Sequence, residues 1–446
     1  MEVLFTFGIA SAMLLIGIFL RSKIPFLKKM LIPATVIGGI IGFILMNIGM
    51  KNYVSTSMFT EIVNQLFTIS FISIGLTSAS GEKNNKKEIM KGAVGMGVIW
   101  CLLYALTPLI GALLVMIIGG HFDFDIAYGM MVQFGFAQGP GQAASFGALF
   151  EQYGFENAAT VGITFATVGF LAAFLVGIVI VRKGMKSGLV KNGIKIDADT
   201  LNGYYKKSKY SLGKETTCSS NIDTLSFHLA IIGICYVLAI GIAKIFELLP
   251  GFLGSSMSGM MFMNGMLAAY LVKFIMKKLK LDFLLDNDLQ RRITSFATDY
   301  LVVAAFMAIE LSVVKSWIVP IIIECIIITI ITIVVCIYFG RRIGGKNDFE
   351  RTLGLYGTCT GTVPSGISLI RIINPELDST TSVELGMMNI TMMLSAPVYM
   401  LILAYASHTI DLTITLIGLT IMSIIYLIIL KVTKCWGKPT YSFKKE

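Results

Sequence analysis

Two stretches rich in glycine, hydroxyl and amide side chains interrupt a chain that is otherwise almost continuously apolar. The first is FGFAQGPGQAASFG at Phe134–Gly147, and the second is GLYGTCTGTVPSG at Gly354–Gly366. Glycine and proline leave backbone N–H and C=O groups unpaired, and such backbone is tolerated at membrane depth only where it faces protein or a watery cavity. Broken apolar segments at matching places in the two halves of a membrane protein indicate a binding site for a transported substrate.

The residue types in both stretches suit a small carboxylate together with a hard monovalent cation. Glycine lets the backbone turn sharply and approach a ligand closely. N–H groups freed at such a turn, with a short helix behind them, attract a carboxylate, whereas freed carbonyls and hydroxyls suit a cation that needs oxygen ligands. The competing explanation is that these are small residues that let helices pack closely. Two such stretches in matching places favour the binding site.

The candidate substrate-binding residues are the glycines and neutral polar residues of both stretches, with Pro364 at the tip of the second and one asparagine from the span after it. They are Gln138, Gly139, Gly141, Gln142, Ser145, Gly361, Thr362, Pro364, Ser365 and Asn389. The candidate ion-binding residues carry hydroxyl or carboxylate oxygens. They are Thr164, Thr167, Thr358, Thr360, Thr391 and Glu310. For the threonines in spans, the alternative is that the hydroxyl bonds back to its own helix.

Three ionisable positions, one of them the Glu310 just named, leave alternatives open. Glu310 and Glu324 are each predicted to lie deep in a span, where a charge is costly and usually faces a cavity or a partner. They either bind a cation or relay a proton, or they are protonated structural groups. Arg371 lies toward the inner end of the second stretch. It either holds an anionic substrate or extends its charged end to the cytoplasmic surface.

The composition indicates an all-α, polytopic membrane protein. The chain has 446 residues, of which 55% are hydrophobic and 14% are charged, and it contains many apolar runs of about 20 residues, the length that spans a bilayer. The net charge of +10 comes from Lys and Arg between these runs, so they are orientation signals, and no nucleic-acid partner is expected.

An enzyme is not indicated by any motif in the chain. There is neither an H-E-x-x-H run nor a phosphate-binding G-x-x-x-x-G-K-[ST] loop. The seven cysteines occur singly, which indicates neither a disulfide framework nor a transition-metal site. We therefore expect no catalytic residue and no cofactor other than a coupling ion.

Basic residues collect in alternate loops, which places those loops in the cytoplasm and the N-terminus outside. With that orientation, each glycine-rich stretch must enter and leave the membrane on one face, the first from outside and the second from inside. The two halves then form an inverted repeat of five spans with one re-entrant hairpin each. The predicted units are residues 1–181 with hairpin 128–150, a cytoplasmic linker at 182–224, residues 225–407 with hairpin 353–373, and an extra span with a basic tail at 408–446.

Several runs resemble the bacterial sodium/glutamate symporter family. They are IPFLKKMLIPATVIGG (Ile24–Gly39), SFISIGLTSA (Ser70–Ala79), the first stretch with LFEQYGFENAATVGITFATVGFLAAF (Leu149–Phe174), and GTVPSGISL (Gly361–Leu369). The resemblance implies a secondary active symporter built from two inverted five-span repeats with re-entrant loops. Family members are dimers that move a transport domain against a scaffold and carry L-glutamate with sodium. This chain departs from the family in its FAQGPGQ loop and in the added span Leu412–Lys431.

The sequence as a whole therefore predicts a sodium-coupled symporter of L-glutamate or a related small carboxylate, working by elevator-like alternating access. Its expected partners are the carboxylate substrate, Na⁺, the lipid of the cytoplasmic membrane and a second copy of the chain. The alternative is an ion or anion channel or facilitator, because re-entrant loops also build selectivity filters. Loops entering from opposite faces favour the transporter.

Overall fold

The computed structural model describes residues 2–29, 32–50, 53–77, 86–190, 213–250, 252–374 and 379–443. Within these ranges the chain is helical and has no strand, which confirms the predicted all-α class. Residues 191–212, the middle of the predicted linker, lie outside the described residues.

The helices of the first half follow one another through short connections. They are α1 (Glu2–Lys23), α2 (Pro25–Lys29), α3 (Ala34–Ile48), α4 (Thr56–Leu76), α5 (Lys86–Ile118), a 3-10 turn (Gly119–His121), α6 (Ile126–Met130), α7 (Val132–Gln138), α8 (Pro140–Gln152) and α9 (Ala158–Lys186). Short polar side chains begin several of them. Ser55 caps α4 by accepting from the Ser57 N–H at 3.2 Å, and Asp125 caps α6 by accepting from the Ala127 N–H at 2.7 Å.

The second half also combines long helices with a broken pair of shorter ones. Its helices are α10 (Thr224–Phe246), α11 (Phe252–Gly259), α12 (Met261–Lys278), a 3-10 turn (Asp282–Leu284), α13 (Asn287–Ala308), α14 (Leu311–Val314), α15 (Ile318–Gly340), α16 (Asp348–Cys359), α17 (Val363–Ile373), α18 (Thr381–Met388), a 3-10 stretch (Asn389–Ser395), α19 (Ala396–Ala406) and α20 (Leu412–Val432). Asp223 caps α10 by accepting from the N–H groups of Leu225 and Ser226.

Seven helices of the described chain are long and apolar enough to cross a membrane, and a bent pair around the 3-10 stretch would make an eighth. The seven are α1, α4, α5, α9, α10, α15 and α20. The other predicted spans coincide with α3, which has 15 residues, and with α12 and α13, which fail the same test. Helix α13 is amphipathic, with polar residues such as Thr294 and Thr298 along it. The chain is thus a polytopic membrane protein.

One group of helices, here called the scaffold group, consists of α1, α3, α4, α10, α12 and α13. In it α4 packs against α12 and α13, and α13 also packs against α3. Glycines allow two of these contacts: a Cβ on Gly39 would lie 2.6 Å from the Phe306 ring, and one on Gly265 would lie 2.8 Å from Ile72. Small residues of this kind let membrane helices approach closely. The α3–α13 and α12–α4 contacts each join a helix of one half to a helix of the other.

Helices α5–α9 and α15–α20 are here called the hairpin group. This group contains the two broken stretches. Helix α5 packs against α6, α7, α15 and α18, while α9 packs against α7, α8, α16 and α17. Helix α20 packs along α5 and α19. The tail beyond α20 returns to the base of α16, where Thr440 donates to Asp348 at 2.7 Å and Tyr441 donates to Thr352 at 2.8 Å.

Candidate functional site

The first hairpin consists of α7 and α8, and it turns at Gly139. This residue has φ 74° and ψ −166°, a conformation that residues with a side chain rarely adopt. Pro140 follows as the first residue of α8, where its fixed φ suits a helix start and its missing N–H costs nothing. The QGPG run therefore forms the break that the sequence predicts, and Gly139 carries its special geometry.

The second hairpin consists of α16 and α17, joined through Thr360–Thr362. Thr362 is extended, with φ −145° and ψ 169°, and α17 starts at Val363 with Pro364 in its first turn. The two limbs pack backbone against backbone, since a Cβ on Gly357 would lie 2.7 Å from the Cα of Gly366. Glycine at both positions therefore sets how closely the limbs pair.

The tips of the two hairpins touch each other. A Cβ built on Gly139 would lie 2.7 Å from Cγ2 of Thr362 and 3.4 Å from the carbonyl oxygen of Gly361. The two glycine-rich stretches lie more than 200 residues apart in the chain, so the fold alone brings them together. Their meeting is what a shared binding site requires.

A cavity of about 490 Å³, counting its opening to solvent, lies between the hairpin tips and the scaffold group. Its hairpin-group wall has Trp100, the end of α7, both limbs of the second hairpin, and Asn389. Its scaffold wall is formed by α4 and α13. The lining residues are Phe67, Ser70, Phe71, Ile74, Trp100, Ala137, Gln138, Thr294, Thr298, Leu301, Thr358, Thr362, Val363 and Asn389.

The cavity lining combines aromatic surfaces with neutral polar groups and has no charged side chain among the residues just named. Amides come from Gln138 and Asn389, and hydroxyls come from the scaffold as well as from the second hairpin. Ser70, Thr294 and Thr298 each donate to a carbonyl of their own helix. Their oxygens therefore keep lone pairs that can accept from a ligand or coordinate a cation.

Four of the sixteen positions predicted from sequence line this cavity: Gln138, Thr358, Thr362 and Asn389. Gly139 and Gly361 form the contact between the tips, and Ser365 lies behind Thr362, with 3.4 Å between their hydroxyl oxygens. Pro364 lies in the first turn of α17. The scaffold residues Ser70, Thr294 and Thr298 were not predicted. The signal that could have found them is the polar face of α13, where Thr294 and Thr298 are one helical turn apart.

The structure places three predicted substrate-binding residues of α8 away from the cavity lining. A Cβ on Gly141 would clash with the ring of Phe67 on α4, so this glycine serves helix packing. Gln142 is fully buried and its Oε1 accepts from the Tyr104 hydroxyl at 2.6 Å. Ser145 donates to the carbonyl of Gly141 at 3.0 Å. Once a helix continues past Pro140, the residues that follow are turned toward its neighbours.

Four of the five predicted ion-binding threonines make the bond to their own helix that was considered as the alternative from sequence. Four hydroxyls donate to carbonyls of the preceding turn, at 2.6–2.8 Å, namely those of Thr164, Thr358, Thr360 and Thr391. The hydroxyl of Thr167 is buried without a partner. Of these five, only Thr358 belongs to the cavity lining described above.

The prediction that Glu310 lies deep in a span is wrong. Helix α13 ends at Ala308, and Glu310 stands at the start of the short α14, half-buried, where it accepts a hydrogen bond from Thr56 at the start of α4. An extended Ile309 separates the apolar run into two helices, which hydropathy alone does not reveal. Glu324 does lie inside α15 and is fully buried, and Arg371 is exposed on α17.

A fully buried ion cluster at the base of the second hairpin was missed from sequence. Arg351 on α16 donates to Glu384 on α18 through Nε at 2.7 Å and Nη2 at 2.8 Å, and to Asp348 through Nη1 at 2.9 Å. Thr380 adds a bond to Glu384 at 2.7 Å. Bidentate pairing of this kind fixes orientation as well as charge. The sequence places Arg351 among basic loop residues and gives no sign of its partner.

Among the described residues, no group of three or more His, Cys, Asp or Glu side chains is arranged to hold a metal ion. A family model described as "Sodium/glutamate symporter" matches residues 1–376 of the chain. No curated protein shows a significant match. The matched region includes both hairpin tips and ends before α18, so α18, α19 and α20 follow the matched part.

Proposed function

The chain belongs to the sodium/glutamate symporter family, and on that premise we propose that it carries L-glutamate or a related small carboxylate into the cell together with Na⁺. The observation that carries the proposal is the cavity shared by the two touching hairpin tips. Its neutral amides and hydroxyls, with the helix starts of α8 and α17 at the tips, supply donors for a carboxylate and oxygens for a cation.

The substrate-binding residues in this proposal are Gln138, Thr358, Thr362 and Asn389, with Ser70, Thr294 and Thr298 facing them from the scaffold group. Gly139 and Gly361 shape the contact between the tips. Because no charged side chain belongs to this lining, the substrate carboxylate must be held by backbone N–H groups and neutral donors. A co-bound Na⁺ then supplies the charge that compensates it, which is a physical reason for coupling.

We further propose that the two halves are inverted repeats and that the hairpin group moves against the scaffold group in an elevator-like cycle. Supporting this, equivalent helices make equivalent contacts: α3 packs on α13 as α12 packs on α4, and α5 packs on the first hairpin as α15 packs on the second. The cavity lies on the boundary between the two groups, where a sliding motion would expose it to either side in turn.

Uptake by purified protein in liposomes tests the function. We expect accumulation of radiolabelled L-glutamate when a Na⁺ gradient is imposed, and little accumulation under a K⁺ gradient. Binding must also be reciprocal, so Na⁺ and substrate each raise the other's affinity by the same factor. Calorimetry with and without Na⁺ measures both factors. If the affinity for glutamate and related carboxylates is the same with and without Na⁺, symport is contradicted. An uncoupled facilitator or channel then remains.

The proposed orientation, in the cytoplasmic membrane with the N-terminus outside and the 182–224 linker inside, can be tested with a native cysteine. Cys218 is exposed, whereas the other six cysteines are buried. A membrane-impermeant maleimide should therefore leave whole cells unlabelled and label the protein once the membrane is opened. The variant Cys218→Ser is the matched control, because it should lose that label. Labelling of Cys218 in intact cells would reverse the topology.

We also propose that the protein is a homodimer, as the family resemblance implies. Large apolar side chains are exposed along α10, including Leu229, Val237 and Ile245, and a membrane helix face of this kind meets either lipid or another copy. Light scattering on the detergent-solubilised protein measures its mass directly, and a monomeric mass at working concentration would count against the dimer.

A further inference from the structure

We propose that Glu324 is a proton-binding site within the hairpin group, where it holds a proton in this conformation and releases it when the first hairpin moves. The first half of the proposal stands on the surroundings of the side chain alone. The second half, which makes transport sensitive to pH, rests on the proposed function. Neither the substrate cavity nor the ion cluster at Arg351 includes this residue.

Glu324 is a carboxyl group without a charge partner. It is fully buried in the second turn of α15, and both of its oxygens lack a hydrogen-bond partner. No other charged residue occurs within α15, in α5 between Lys91 and Ile118, or in α9 before Arg182. Burying an isolated ionised carboxylate costs far more than burying the neutral acid. The group is therefore protonated in this conformation.

A backbone acceptor lies beside the carboxyl group of Glu324. A Cβ on Gly111 of α5 would clash both with Oε1 of Glu324 and with the carbonyl oxygen of Gly129 on α6. The carboxyl group and that carbonyl thus face the same narrow gap, which only glycine leaves open. A protonated carboxyl can donate to a carbonyl, whereas an ionised one is repelled by it. The narrow gap also suits a proton, which needs no room, better than a cation with several ligands.

The contact with α6 links Glu324 to the first hairpin. Gly129, Gln133 and Ala137 follow one another at four-residue spacing along α6 and α7, and Ala137 lines the substrate cavity. At 1.5 Å per residue, the eight residues from Gly129 to Ala137 rise roughly 12 Å along α6 and α7. Halfway along, Gln133 accepts from Thr107 of α5, and its Nε2 is buried without a partner. These polar groups offer a route for a proton between Glu324 and the cavity.

The other titratable residues on the elements around Glu324 are few. Helix α15 contributes the neighbouring Cys325, α6 contributes Tyr128 with Asp125 as its N-cap, and α5 contributes Cys101 and Tyr104. Helix α16 contributes Tyr356 and Cys359, besides the paired Asp348 and Arg351 of the ion cluster. These thiols and phenols are neutral near pH 7 when unperturbed. We therefore assign the pH response at this place to Glu324, and loss of its proton would require α6 to move and admit water or a cation.

Infrared spectroscopy of the purified protein tests directly whether the carboxyl group of Glu324 is protonated. We expect a band from a protonated carboxyl group at neutral pH, absent in the Glu324→Gln variant and retained in the control Glu247→Gln, which changes an exposed residue at the end of α10. Glu324→Asp keeps a carboxyl group and should shift the band without removing it. This second variant still tests the assignment if Glu324→Gln does not fold. An unchanged band in folded Glu324→Gln would overturn the assignment.

Transport measurements then test separately whether protonation of Glu324 is coupled to uptake. In liposomes with a fixed Na⁺ gradient, we expect the uptake rate of the wild type to change at least about threefold between pH 6 and pH 8. The Glu324→Gln variant, which resembles the permanently protonated state, should keep Na⁺-dependent substrate binding and lose this pH response. The same pH profile in both proteins would overturn the coupling while leaving symport intact. Failure of the wild type to take up any carboxylate would instead contradict the proposed function and leave the infrared result standing.

Discussion

Replacement of Gly139 by Ala is expected to reduce uptake by at least about tenfold while leaving the protein folded. Two penalties act at this position. A side chain at φ 74° and ψ −166°, a region nearly restricted to glycine, costs roughly 1–3 kcal/mol, and the added Cβ would lie 2.7 Å from Cγ2 of Thr362. Because the contact joins the tips of both hairpins, we expect the clash to distort the cavity and to leave the membrane-spanning helices in place. Initial rates of glutamate uptake in liposomes measure it.

Gly154 provides a matched control for this variant. It also has a left-handed φ, 97°, but nothing lies within 4 Å of a Cβ built there. Gly154→Ala therefore carries the backbone strain without the contact, and we expect uptake within about twofold of the wild type. The double variant Gly139→Ala, Thr362→Ser should regain part of the lost rate, because Ser lacks the Cγ2 methyl group that the new Cβ would meet. Equal losses from Gly139→Ala and Gly154→Ala would show that the tip contact does not matter.

Replacement of Arg351 by Met is expected to be the most damaging single change to stability. It would leave the buried carboxylates of Glu384 and Asp348 without their shared guanidinium group. Removing one partner of a buried pair destabilises proteins by about 3–5 kcal/mol. We therefore expect a much lower yield of folded protein and a clear drop in the thermal unfolding temperature. The temperature at which the detergent-solubilised protein aggregates is a sufficient measurement.

Arg371→Met is the control, because that residue is exposed on α17 and should change the unfolding temperature little. Adding Glu384→Gln to Arg351→Met removes one of the stranded charges and should recover part of the loss, since residues within one network do not contribute additively. A single Arg351→Met variant as stable as the wild type would mean that the cluster contributes nothing net. The buried charges would then have to be protonated or hydrated.

The sequence alone determined the class of protein and the places where its helices break. Apolar runs of bilayer length give membrane helices because the backbone must satisfy its own hydrogen bonds in lipid. Glycine and proline end helices locally, so the breaks at Gly139–Pro140 and between Cys359 and Val363 lie within the predicted hairpins. The family match also agrees with the predicted resemblance. These properties depend on neighbouring residues, which a sequence displays directly.

The tertiary structure decided which polar residues share the cavity and which are used in packing. Thr362 faces Ser70, Thr294 and Thr298 across the cavity, whereas Gln142 bonds to Tyr104 in the interior. The pairing of Arg351 with Glu384 spans 33 residues, and Glu310 lies outside any span because α13 ends before it. Helical periodicity fixes the face on which a side chain lies but not the helix that meets that face. In a membrane, where most helices are apolar on most sides, that choice depends on small differences in close packing between distant segments.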